Sequence, residues 1–174
     1  MKDQLTELHT KYPEIAIQWL DIPRHLTTEQ RDTIYRLIKN INPDCLVMFN
    51  FGQESREISG DYTIEKAAKV TWPTDILNSE ITPIKQAFHN QQSYKGKNYE
   101  LGYEHCISLS KGWFWKEPLE LKSLETLVDV WNETGKLNGN LLLNVAPNKE
   151  GQIPEASIHR LMELHNFIEK SNEK

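Results

Sequence analysis

A strand, a helix and a second strand follow one another over residues 15–49, and that order leaves few folds open. Ile15-Ala16-Ile17-Gln18-Trp19-Leu20-Asp21 is rich in β-branched and aromatic residues and free of glycine, the composition of a strand, and Pro23 ends it. Thr27-Thr28-Glu29-Gln30 then has a capping-box pattern, with Thr27 as the cap and Gln30 reaching back. Ile34, Leu37, Ile38 and Ile41 mark one face of the helix that follows, and Asn42-Pro43-Asp44 closes it. Cys45-Leu46-Val47-Met48-Phe49 is a continuous apolar run, as expected of a strand covered on both faces. The order predicts a parallel pair joined by a right-handed crossover.

The same alternation continues. Leu5, Leu8 and Tyr12 fall at helical spacing, and Pro13 stops that first helix. Residues 50–69 are polar and read as a loop, Val70-Thr71-Trp72 as a short strand, and residues 75–98 as irregular. Tyr99 to Leu109 has mixed strand character, and Gly112-Trp113-Phe114-Trp115 is a dense aromatic group. Ser123 caps a helix with Thr126 where a full capping box would want Glu; Leu124, Leu127, Val128 and Trp131 form its stripe. Asn140 to Val145 reads as another buried strand. Pro154 opens a last helix with Ile158, Leu161, Met162, His165 and Ile168 inward. About five strands alternating with about four helices predict an α/β fold, a partial (β/α)8 barrel of TIM type spanning residues 1–174 as one domain. An open parallel sheet competes, but no glycine-rich phosphate loop links a strand to its helix, so a nucleotide-binding version has little support.

Composition narrows the function classes. With 38% hydrophobic and 26% charged residues the chain has the make-up of a globular protein. No apolar run approaches the ~20 residues of a spanning helix, and Met1 to Glu7 lacks the apolar core of a signal peptide, so no membrane partner is expected. A net charge of −5 with scattered lysines argues against a nucleic-acid surface. Cys45 and Cys106 stand alone, which predicts reduced thiols and neither a disulfide framework nor a zinc motif.

The first strand ends in a carboxylate. Alternation puts Ile15, Ile17, Trp19 and Asp21 on one face, with Asp21 where strand gives way to loop, the end at which barrels of this type do their chemistry. Cleaving a bond between sugars needs two carboxyl groups across it, one for the anomeric carbon and one to protonate the leaving oxygen. Asp21 is the first candidate. Glu65, Glu80 and Glu104, all in or beside loops after strands, compete for the second role, with Glu80 expected on a long loop over the mouth. An aspartate ending a strand is more often a cap or an ion-pair partner, and each glutamate has an equally plain reading. Glu65 suits a solvated turn beside Lys66, Glu80 a solvent-facing loop, and Glu104 a structural acid holding loops together. Trp19, Trp72, Trp113 and Trp115 are core residues by default, yet aromatic rings at strand ends also stack on pyranose faces. His25 and His105 are weak candidates for hydroxyl recognition. Neither has a metal-ligand spacing, so no metal is expected. No nucleophile-elbow serine is present.

Two stretches go beyond pattern. Gly139-Asn140-Leu141-Leu142-Leu143-Asn144-Val145-Ala146-Pro147-Asn148-Lys149-Glu150-Gly151-Gln152-Ile153-Pro154-Glu155 resembles the late-barrel signature of the α-L-fucosidases of glycoside hydrolase family 29. The helix Gln4 to Tyr12 leading to Trp19-Leu20-Asp21 resembles that family's nucleophile segment, and Gly102 to Cys106 and Trp113-Phe114-Trp115 resemble two more. The resemblance implies a retaining exo-glycosidase acting on terminal α-L-fucose of glycoconjugates, with Asp21 as nucleophile. It implies a glutamate as acid/base, Glu80 after the Trp-Pro-Thr-Asp stretch 72–75, with Glu65 in reserve. It places Trp19 or the Trp113/Trp115 pair against the fucose methyl and Arg56 near the sugar, and calls for no cofactor. It also implies that the barrel's first strands and the C-terminal β-sandwich lie outside this chain, so that a second chain or an upstream half supplies the missing strands. Location is left open. A non-catalytic fucose-binding remnant and an open-sheet interaction protein are the competing readings.

Overall fold

The computed structural model describes residues 1–12, 14–23, 25–50, 72–80 and 91–172. Helix α1 (Lys2–Lys11) precedes β1 (Ile17–Asp21), α2 (Thr28–Ile41) and β2 (Leu46–Asn50), and β1 and β2 pair in parallel, as the strand–helix–strand order requires. The capping box at α2 is complete. Thr27 Oγ1 accepts from the Gln30 N–H at 3.2 Å, and the Thr27 N–H donates to Gln30 Oε1 at 2.8 Å.

Burial sorts the two faces of the strand pair. Val47 and Phe49 are buried in one cluster with Leu5, Ile34 and Ile38, and Leu20 packs against it, so this face carries the helices. Alternation then sends Trp19, Asp21, Met48 and Asn50 to the opposite face. Ile15 departs from the expected row: β1 starts at Ile17, and Ile15 packs on the helix side. The pairing register sets Asp21 opposite Asn50.

The third strand is displaced from its expected position. Val70 and Thr71 lie outside the described residues, and Trp72 precedes the strand rather than forming it. β3 is Ile76–Glu80, inside the stretch read as irregular. The Asp75 N–H donates to the Val47 carbonyl at 2.8 Å and brings β3 beside β2. A hairpin follows, β4 (Gln91–Tyr94) and β5 (Lys97–Glu100), turned by Lys95 and Gly96 at φ 48° and 75°. Two consecutive positive φ values suit the right-handed twist of a two-residue hairpin, and glycine meets that demand without strain. β6 (Gly102–Ser108) starts beside β3, the Gly102 N–H donating to the Asp75 carbonyl at 2.8 Å.

The described chain divides into two compact units, Met1–Glu104 and His105–Lys174. In the second, the end of β6 runs beside β7 (Asn140–Asn144) under α3 (Leu124–Lys136) and α4 (Glu155–Asn172). Ile107, Leu109, Leu127 and Leu164 form its core. Ser123 caps α3 through the Thr126 N–H. On α4 the inward residues are Leu161, Leu164 and Ile168, whereas Ile158, Met162 and His165 face out, so the expected stripe is rotated about the helix axis. Cys45 and Cys106 are both buried. No helix among the described residues is long and apolar enough to cross a membrane.

Candidate functional site

Four strand segments of the first unit deliver polar side chains to one place: Trp19 and Asp21 from β1, Asn50 from β2, Asn78 and Glu80 from β3, and Glu104 from the start of β6. The centre is a single amide nitrogen. Asn50 Nδ2 donates to Asp21 Oδ1 at 2.9 Å and to Glu80 Oε1 at 2.7 Å. Asn50 is 1% exposed, Asp21 is open to solvent and Glu80 is half-buried. Asp21 fixes the orientation of the amide, because the amide's carbonyl oxygen in that position would face a carboxylate oxygen. Both oxygens bond to the one nitrogen, so they lie no more than about 5.6 Å apart.

A second set lies alongside. Glu104 Oε1 accepts from the Trp19 indole Nε1 at 3.1 Å and from Asn78 Nδ2 at 3.3 Å. Glu104 is buried, and a buried carboxylate survives when donors surround it. This holds the Trp19 ring to the same face as Asp21.

Of the predicted site residues, the structure brings together Trp19, Asp21, Glu80 and Glu104. Glu80 arrives as the last residue of β3 and not on a long loop, so its backbone is held in a sheet. Trp72 is placed elsewhere. It lies ahead of β3, at the opposite end from Glu80, with its ring 5.0 Å from that of Tyr94 and 4.5 Å from that of Tyr99. It lines a cavity of about 270 Å³ with Tyr35, Asp75 and Tyr99. His25 sits on an exposed turn. His105 is fully buried as the first residue of the second unit. Glu65 and Arg56 lie outside the described residues. In the second unit, the Trp113 carbonyl accepts from Asn144 Nδ2 at 2.8 Å, and Lys149 Nζ lies 5.9 Å above the Trp115 ring. No group of three or more metal-ligating side chains occurs among the described residues.

Asn50 and Asn78 were missed in the sequence. Asn50 had a legible signal, since it follows the apolar run Cys45–Phe49 as Asp21 follows its own strand, and the end of such a strand is where function gathers. Asn78 had none, because its strand went unrecognised.

Backbone strain adjoins the nucleophile candidate. Ile22, a β-branched residue, has φ 44°, and its N–H donates to the Asn50 carbonyl at 2.6 Å. The extra ladder bond holds the chain in a left-handed conformation that costs about 1–2 kcal/mol. Ile22 is half-exposed, so Ile22→Asn gives up little burial and relieves most of that cost. We expect a gain of about 1 kcal/mol, about 3 °C in Tm, read from a thermal melt; an unchanged or lower Tm would contradict it.

Fold and site together define a class, an α/β protein that presents clustered carboxylates and amides at the ends of its strands. The sequence profile of the α-L-fucosidase family matches residues 1–173, and the chain belongs to that family. Alpha-L-fucosidase 1 of Arabidopsis thaliana is 28% identical over 97% of this chain and 34% of its own length. The α-L-fucosidase of Lactobacillus casei bound to α-L-fucose superposes with a TM-score of 0.71 at 22% identity, over 99% of this chain and 45% of that one. α-L-Fucosidase isoenzyme 1 of Paenibacillus thiaminolyticus gives 0.72 at 23%, over 99% and 39%. The chain therefore spans about a third of the length of the plant relative and less than half of these solved structures.

Proposed function

We propose that this chain carries the paired carboxylates of a retaining α-L-fucosidase, with Asp21 as nucleophile and Glu80 as acid/base, on part of a (β/α)8 barrel. The observation that carries the reading is the shared amide. Asp21 Oδ1 and Glu80 Oε1 both accept from Asn50 Nδ2, at 2.9 and 2.7 Å, which keeps these two oxygens within about 5.6 Å of each other, closer than the ~6.5–9.5 Å that inverting enzymes leave for water and compatible with the ~5–5.5 Å of retaining ones. Asp21 Oδ1 is engaged by Asn50, which leaves Oδ2 to attack the anomeric carbon. Glu80 protonates the departing oxygen and, once the fucosyl ester has formed on Asp21, draws a proton from the water that hydrolyses it. Glu104, committed to Trp19 and Asn78, holds the wall of the site. The Lactobacillus casei relative holds α-L-fucose, which supports a terminal fucose as the sugar.

β1 pairs only with β2 among the described residues, so its other edge offers a parallel strand's worth of backbone donors and acceptors to a complementing half. The test is hydrolysis of 4-nitrophenyl α-L-fucoside by the 174-residue chain, with the anomer released first followed by NMR. Appearance of α-L-fucose before its β anomer is the expected result. First release of the β anomer would overturn retention. Saturable fucose binding without turnover would leave a fucose-binding domain in place of an enzyme.

A further inference from the structure

We propose that Asn50 is the positioning residue of this site, one amide that sets the spacing of both carboxylates and passes the charge change at Asp21 on to Glu80. The inference rests on the reading of Asp21 and Glu80 given above. Three observations carry it. Asn50 is 1% exposed at the end of β2, so its side chain has no room to swing away. It faces Asp21 across a parallel ladder in fixed register, and its own carbonyl holds the Ile22 N–H just past Asp21. Its amide nitrogen has two hydrogens, and each has a carboxylate acceptor.

The consequence follows from charge. Before reaction Asp21 is anionic, and Oδ1 is a strong acceptor for one of the two N–H bonds. When Oδ2 bonds to the anomeric carbon and the bond from that carbon to the aglycone oxygen breaks, Asp21 becomes a neutral ester and a weaker acceptor. In the same step Glu80 gives its proton to the aglycone oxygen and becomes the anion. The amide's stronger bond then passes to Glu80 Oε1 and steadies it as the base for the second step. When water cleaves the ester, Glu80 regains a proton, Asp21 regains its charge, and the bond strengths reverse. No group has to move, because both bonds are already made.

The bridge is tested without turnover by following the two side-chain amide protons of Asn50 by NMR in the isotope-labelled chain. Asp21→Ala is expected to move one of them upfield and Glu80→Ala the other. Both variants moving the same proton, or one of them moving neither, would overturn the bridge. Its role in catalysis is tested with Asn50→Ala and with Asn50→Ser, whose single hydroxyl hydrogen can reach one carboxylate but not both. Each is expected to lower kcat on 4-nitrophenyl α-L-fucoside about a hundredfold with KM changed by less than about threefold. Azide, a nucleophile that needs no base, is expected to recover part of the loss. A raised KM with kcat intact in a folded variant would make Asn50 structural only and would end the proposal. A native chain that responds in the amide experiment but turns over no fucoside would remove the enzymatic reading of the pair, and the relay with it, while leaving the bridge in place.

Discussion

Asp21→Ala is expected to lower kcat on an aryl fucoside about 10⁴-fold while leaving the fold intact. The size follows from the role proposed for Asp21. A nucleophile that forms the covalent intermediate has no understudy, because Glu80 and Glu104 are held on other strands and Glu104 is committed to the Trp19 indole and the Asn78 amide. The small effect on stability follows from the surroundings. Asp21 is exposed, no hydrophobic cluster includes it, and the amide it abandons keeps its bond to Glu80. The melting temperature should therefore move by no more than about 2 °C, as for surface changes of about 0.5 kcal/mol. Measuring kcat and Tm on one preparation decides the matter. Activity within tenfold of the native chain would remove Asp21 from the mechanism, and a loss of activity that merely tracks a loss of melting would do the same. Azide added to the variant should restore turnover and yield the inverted β-fucosyl azide, since it fills the space the carboxylate left.

Much of this arrangement was legible because residue type and position agreed. The capping box Thr27–Gln30, the apolar run Cys45–Phe49 and the carboxylate ending Ile15–Asp21 each pointed to one local structure, whereas the register of β1 on β2 emerges only from the structure. Reading failed where the site itself intrudes on a strand. Ile76-Leu77-Asn78-Ser79-Glu80 has too few apolar residues to signal a strand, because Asn78 and Glu80 face the carboxylate cluster and Ser79 bonds Tyr103 at 2.7 Å on the other side. Polar residues at sheet-interior positions are a cost that a polar cluster imposes, and period-two hydrophobicity is blind to them. The hairpin at Lys95-Gly96 was missed because lysine is an unfavoured partner for the left-handed turn it occupies. Residue type alone leaves Trp72 both a core reading and a sugar-platform reading. Tyr94 and Tyr99, which enclose it, come from that unrecognised hairpin.

Asp75→Ala should cost more stability than any substitution in the carboxylate cluster, about 3 kcal/mol by urea denaturation. Asp75 ties three elements together just before β3. Its Oδ1 accepts the Tyr35 hydroxyl of α2 at 2.7 Å, and its Oδ2 accepts the Val47 N–H of β2 at 2.9 Å with Lys39 Nζ at 2.9 Å. Removing the carboxylate leaves a strand N–H, a phenol and an ammonium short of an acceptor in a region where water has limited access. Lys39 retains the Cys45 carbonyl at 2.6 Å, which keeps the loss below that of a wholly stranded charge. Asp75→Asn keeps one acceptor oxygen and should lose about half as much. The pair also gives stability an alkaline limit. Burial, then the bond to Asp75, pushes the Tyr35 hydroxyl well above its ordinary value of 10.0. The folded chain thus holds that proton more tightly than the unfolded one. The contribution is complete below the ordinary tyrosine value and drains away as pH rises through it toward the folded value. Tyr35→Phe should remove most of that decline, and an unaltered slope above pH ~10 in the variant would assign it to other groups. A loss below about 1 kcal/mol in Asp75→Ala would mean that β3 is held to β2 by its backbone bonds alone.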